Sequence, residues 1–110
     1  MSKNKLAFIG GSGIYNIDIL KDIVEHNLVS PFGTPSSKII EGKINGNSIF
    51  FLSRHGIGHH ISPTEINYRA NIECLKQLEI TDIISLSAVG SLNNNLNPGT
   101  FVIVDQFIDR

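Results

Sequence analysis

Short apolar runs ending at glycine, rather than long helical periods, organise this chain. Leu6-Ala7-Phe8-Ile9 is continuously apolar and stops at Gly10-Gly11-Ser12-Gly13, which predicts a buried strand followed by a glycine turn. From Ile14 to Val29 the pattern is ambiguous: Ile17, Leu20 and Val24 suit a helical turn, while Ile23 to Val29 suits a strand. Ser30-Pro31-Phe32-Gly33-Thr34-Pro35 breaks either element. Lys38 to Ile44 and Asn47 to Leu52 are β-rich and flank Asn45-Gly46, a pair that accepts the positive φ angles of a type I′ hairpin turn. Ser62-Pro63-Thr64-Glu65 has the composition of a helix start with a capping box. Tyr68, Ile72, Leu75 and Leu78 follow at helical spacing and predict one apolar face. Ile80 to Ser87 predicts another buried strand, and Thr100 to Val104 a final one after an asparagine- and glycine-rich loop. Together these describe an α/β domain with a mixed sheet, carrying one long helix where a sheet covered on both faces needs several. The chain is therefore expected to be cut short.

With 110 residues, 41% of them hydrophobic and 17% charged, the chain has room for one small core and is too apolar for disorder. Lys and Arg number 9 against 10 Asp and Glu, a net charge of -1 that offers no broad cationic field for nucleic acid or membrane. An anion must be caught by a few placed groups. The single cysteine, Cys74, forms no internal disulfide and reads as a small apolar filler on the helix. No segment approaches the roughly 20 apolar residues of a membrane span. The start, Met1-Ser2-Lys3-Asn4-Lys5, lacks the apolar stretch of a signal peptide, so a cytoplasmic location is expected.

Three segments carry candidate chemistry. Gly10-Gly11-Ser12-Gly13 can turn backbone N–H groups inward as an anion nest, with the Ser12 hydroxyl as a further donor; taken alone it serves as readily as a strand-ending turn. It matches neither a dinucleotide fingerprint nor a P-loop. Ser53-Arg54-His55-Gly56-Ile57-Gly58-His59-His60 places a guanidinium fork and three of the four histidines in one loop. A metal site competes there, but no nearby carboxylate or cysteine completes a ligand set and Arg54 repels a cation, so an oxyanion ranks above it. A solvated polar loop is the bland alternative. Ser85-Leu86-Ser87-Ala88-Val89-Gly90-Ser91 ends a strand, where Ser87 and the Ala88 N–H face the region in which open α/β sheets collect ligands; it too is readable as a plain strand exit.

Six segments occur in one order: Ile9 to Gly13, Pro31 to Pro35, Arg54-His55-Gly56 with His59, Asn67 to Asn71, Ala88 to Leu92, and Asp105 to Arg110. That series resembles the methylthioadenosine phosphorylase family from Leu6 onward. The adjacent Arg54-His55 pair is closer to this family than to the general trimeric purine nucleoside phosphorylases, in which a residue usually separates the two. The resemblance implies a nucleoside-phosphorylase-like fold, with residues 1–110 as the N-terminal part of a single such domain. It implies that Ser12, Arg54, His55, Ser87 and Ala88 surround phosphate, and that His59 lies near the nucleoside 5′ group. Serine stands at Ser12 and Ser87 where members often have threonine, which keeps the hydroxyl. The Asn67–Asn71 and Asp105–Arg110 runs are expected to support architecture and a subunit interface.

The implied reaction is phosphorolysis of 5′-methylthioadenosine in purine and methionine salvage, with inorganic phosphate as co-substrate and neither metal nor organic cofactor. No catalytic residue is identified within this chain, because the family's purine-contacting acids lie beyond its last residue. A homotrimer or a missing C-terminal half is the expected partner. The alternatives are a non-catalytic phosphate-binding or oligomer-modulating fragment, and a phosphorylase for methylthioinosine or another purine nucleoside.

Overall fold

A computed structural model describes residues 4–11, 20–56 and 60–106. Five strands form one mixed sheet in the order β2-β3-β4-β1-β5. In chain order they are β1 (Leu6–Gly10), β2 (Lys21–His26), β3 (Ile39–Ile44), β4 (Asn47–Ser53) and β5 (Asp82–Ser85), with helix α1 (Tyr68–Gln77) between β4 and β5. β2, β3 and β4 are joined antiparallel, whereas β1 runs parallel to both β4 and β5. The α/β mixed-sheet class read from the sequence is the one observed.

The β3–β4 hairpin forms where Asn45-Gly46 calls for it. Both turn residues have positive φ, 52° and 81°, and Ile44 pairs directly with Asn47. Of the ambiguous stretch from Ile14 to Val29, Lys21–His26 forms β2, a largely exposed edge strand tied to β3 by a hydrogen bond from His26 Nε2 to Glu41 Oε1 at 2.7 Å, while residues 14–19 lie outside the described residues. That bond, helped by the Ser48 hydroxyl and opposed by partial burial, holds the Glu41 carboxyl below its ordinary value.

Alternation along the strands sorts side chains between two faces. Ala7, Ile39, Phe50 and Leu52 point to one face and pack with Cys74 and Leu75 of α1 into the core. On the other face Phe8 stacks on Phe51, ring centroids 5.5 Å apart, and Leu20 sits over Gly42, where any Cβ would strike it. Cys74 is the apolar filler expected of it, and burial pushes its thiol up.

Four expectations are corrected. The run from Ile80 to Ser87 forms a strand only over Asp82–Ser85, and all four of its residues are exposed, not buried. Helix α1 begins not at Ser62 but after Asn67, whose side chain accepts the Ala70 N–H at 3.1 Å. Pro63–Glu65 is a separate single turn, and Ser62 hydrogen-bonds the Glu65 carboxylate instead of capping backbone. The buried face of α1 is Ala70, Asn71, Cys74 and Leu75; Tyr68 and Ile72, assigned to that face by spacing, are exposed. Thr100 to Val104 forms no strand, for a β-rich run needs a neighbour to pair with and none of the described strands takes it.

Candidate anion-binding site at the strand exits

The parallel register brings three strand ends level. Gly10 of β1 pairs with Ser53 of β4, and Ile9 with Ser85 of β5. The chain past each strand is held to its neighbour by one further bond, Arg54 N to Gly10 O at 3.0 Å and Leu86 N to Ile9 O at 2.8 Å. Gly10-Gly11, Arg54-His55-Gly56 and Leu86-Ser87-Ala88 thus leave the sheet at one edge, the carboxyl end at which α/β sheets place ligands.

The middle exit is the most constrained. Ser53 Oγ donates to Gly56 O at 3.0 Å and Gly56 N donates back to Ser53 O at 3.1 Å, closing residues 53–56 into a tight turn. Gly56 has φ +79°, a conformation that favours glycine, and a Cβ there would push aside the exposed His60 ring. Out of the turn, Arg54 reaches across the end of β1: its Nη1 donates to Leu86 O at 2.6 Å, and its Nη2 lies beside Gly11, 3.6 Å from where a Cβ would stand. The guanidinium thereby spans the exits of β4, β1 and β5.

His55 is buried, 8% exposed, and its Nδ1 lies 2.8 Å from Ile61 O. A carbonyl only accepts, so Nδ1 carries the proton, and Nε2 receives the Arg54 Nε–H at 3.3 Å. In this arrangement the ring aims Arg54. Donation from Nε2 to an anion would require a second proton on the ring.

Ser87 and Ala88 lie at the same edge but are exposed. Of the residues marked by sequence, Arg54, His55, Ser87 and Ala88 therefore come together at the strand exits, while Ser12 and His59 lie outside the described residues. Sequence reasoning missed Ser53, the Ile61 carbonyl and the Leu86 carbonyl. Backbone acceptors carry no residue signature, and Ser53 opened the candidate loop without being given a role of its own. A surface hollow of about 390 Å³ lies elsewhere, lined by Phe32, Tyr68, Arg69, Ile72 and Glu73, with the Arg69 guanidinium 5.9 Å above the Phe32 ring.

A mixed sheet whose parallel strands end together at an arginine and glycine turns defines a nucleoside-phosphorylase-like α/β protein. Residues 5–110 match the phosphorylase superfamily, and the chain belongs to that family. It is 52% identical over 108 residues to an S-methyl-5′-thioadenosine phosphorylase of Cereibacter sphaeroides, covering 98% of this chain and 37% of that protein. Among solved structures it is similar to a methylthioadenosine phosphorylase from an antarctic soil metagenomic library, with a TM-score of 0.80 and 45% identity over 86% of this chain and 33% of that one. A methylthioadenosine phosphorylase from Schistosoma mansoni in complex with adenine superposes with a TM-score of 0.79 at 42% identity, over 88% of this chain and 34% of its own. The chain spans a little over a third of the length of the relatives it matches.

Proposed function

We propose that this chain is the phosphate-binding portion of a 5′-methylthioadenosine phosphorylase, in which Arg54, His55, Ser87 and Ala88, together with Ser12, surround the phosphate co-substrate and His59 lies toward the 5′ group of the nucleoside. The observation that carries this reading is the position of Arg54, with Nη1 on the β5 exit, Nη2 beside the β1 exit and Nε on His55. A planar guanidinium suits a tetrahedral oxyanion because two parallel N–H bonds can be directed at once. The Gly10-Gly11 turn and the Ala88 N–H add backbone donors, and Ser12 and Ser87 add hydroxyls.

In phosphorolysis a phosphate oxygen attacks the ribose anomeric carbon while the bond from that carbon to the purine nitrogen breaks. The departing purine carries off the bonding pair and takes a proton. Positive charge builds on the ribose, and bound phosphate serves as both nucleophile and counter-charge. Arg54 must therefore hold the dianion at attack distance without neutralising it, a matter of placement and electrostatics. The purine's proton is assigned to no residue of this chain. A trimeric assembly and a role in salvage belong to the same proposal, as what the family resemblance implies.

The test is phosphate-dependent release of adenine from methylthioadenosine by the folded chain and by its Arg54→Ala variant, with phosphate binding measured on the same samples. Phosphate binding that depends on Arg54, without adenine release by the chain alone, is the expected result. Adenine release that survives Arg54→Ala would contradict it.

A further inference from the structure

Five polar side chains are buried among the described residues: Ser30, Ser36, Ser53, His55 and Asn71. Asn71, Ser36 and Ser53 mark a path from helix α1, through the loop between β2 and β3, to the turn that holds His55, while Ser30 closes a neighbouring turn of that loop. Asn71, 2% exposed, grips Ser36 at two points. Its Oδ1 accepts the Ser36 N–H at 2.8 Å and its Nδ2 donates to Ser36 Oγ at 3.1 Å. Asn67, at the start of the same helix, donates from Nδ2 to Phe32 O at 2.7 Å, and Ser30 closes the same loop through Gly33 O.

Ser37, next to the gripped residue, receives the Ser53 N–H on its Oγ at 3.1 Å. The reason lies in the register. β3 begins at Ile39 and its last pair is Ile40 with Phe51, so Ser53 emerges opposite Lys38, where the ladder has ended. The Ser37 hydroxyl bridges the gap, accepting the Ser53 N–H and donating to Lys38 O at 3.0 Å. Ser53 in turn closes the turn that carries Arg54 and His55.

A buried polar group costs stability unless it is bonded, and a satisfied network fixes one geometry. An apolar residue would fill each of these places at lower risk. The run of bonds from Asn71 through Ser36 and Ser37 to Ser53 is explained if it sets the turn. We infer that Ser37 and Ser53 are positioning residues for the anion grip, anchored to α1 by Asn71, and that they act on phosphate affinity through the orientation of Arg54 without touching the anion. This inference rests on the phosphate reading of the strand exits.

The test compares the full chain with Ser37→Ala, Ser37→Thr and Cys74→Ala, the last a core substitution with no bond to the turn. Amide hydrogen exchange at Ser53 and Gly56 and binding of inorganic phosphate are read on each. Ser37→Ala is expected to speed exchange at both amides by about five- to tenfold and to weaken phosphate binding by a similar factor. Ser37→Thr, which restores the hydroxyl, recovers both, and Cys74→Ala loses thermal stability while keeping phosphate affinity. Unchanged exchange at Gly56 in Ser37→Ala overturns the relay. Faster exchange with undiminished phosphate affinity overturns its role in the grip. A folded parent chain that takes up no phosphate overturns the phosphate reading and the anion role together, with the exchange result still deciding whether the relay orders the turn.

Discussion

The turn after β4 and the segment after β5 leave the same edge of the sheet with β1 between them, yet they are held in opposite ways. Residues 53–56 are closed by a reciprocal pair of bonds, backed by Ser37 and seated on a buried His55. Ser87 and Ala88 lie in solvent, joined to the first exit through the Arg54 bond to the carbonyl of the preceding Leu86. Beyond them Val89, Leu92, Phe101 and Ile103 expose most of their apolar surface. The difference separates two tasks. On the proposed reading, one exit is preorganised around Arg54, whereas the other lies in solvent and is followed by exposed apolar residues.

Substitutions at the two exits should therefore differ in size. Arg54→Ala removes the charged fork and should weaken inorganic phosphate binding roughly 30- to 100-fold, read by calorimetric titration. Asn71→Ala leaves the Ser36 N–H and hydroxyl buried without partners and should cost about 2 kcal/mol in urea unfolding. Ser87→Ala, at the exposed exit, should weaken phosphate binding by less than about threefold and leave stability unchanged. An effect as large as that of Arg54→Ala would erase the contrast.

The sheet's far edge sharpens it further, because there a hydrogen bond joins His26 to Glu41 away from the strand exits. The bond from His26 depresses the Glu41 carboxyl, so its stabilisation is complete above the ordinary value of 4.5 and is lost as pH falls through the lower folded value. Glu41→Gln should flatten the acid limb of a stability–pH profile below about pH 4.5 and leave phosphate binding at neutral pH untouched. A small gain is expected at Glu79, which closes α1 with φ +61° while Ile80 N bonds Leu75 O. Glu79→Gly should raise stability by about 0.5–1 kcal/mol in thermal melts, because glycine adopts that conformation without strain.

How much of this was legible in sequence depended on the range of the interaction. The Asn45-Gly46 hairpin and the β1 glycine exit are local matters of backbone sterics, and both were readable. The helix start was misread because Ser62 to Glu65 has the composition of a capping box, while Asn67 wins by also bonding Phe32 O on a distant loop. Spacing placed Tyr68 and Ile72 inside, but it could not show that Asn71 is buried to hold Ser36. The candidate residues were visible as polar groups at strand ends. Their assembly was not, since it rests on the order β4-β1-β5 and on backbone carbonyls at Ile61 and Leu86 that no residue type announces.

The most direct test of the central claim is calorimetric titration of inorganic phosphate into the 110-residue chain and into Arg54→Ala, with circular dichroism confirming that both are folded. Saturable binding by the parent chain that disappears in Arg54→Ala is the predicted result. A folded parent chain that gives no binding heat, or equal binding by the two, would contradict the assignment of the strand exits as a phosphate site.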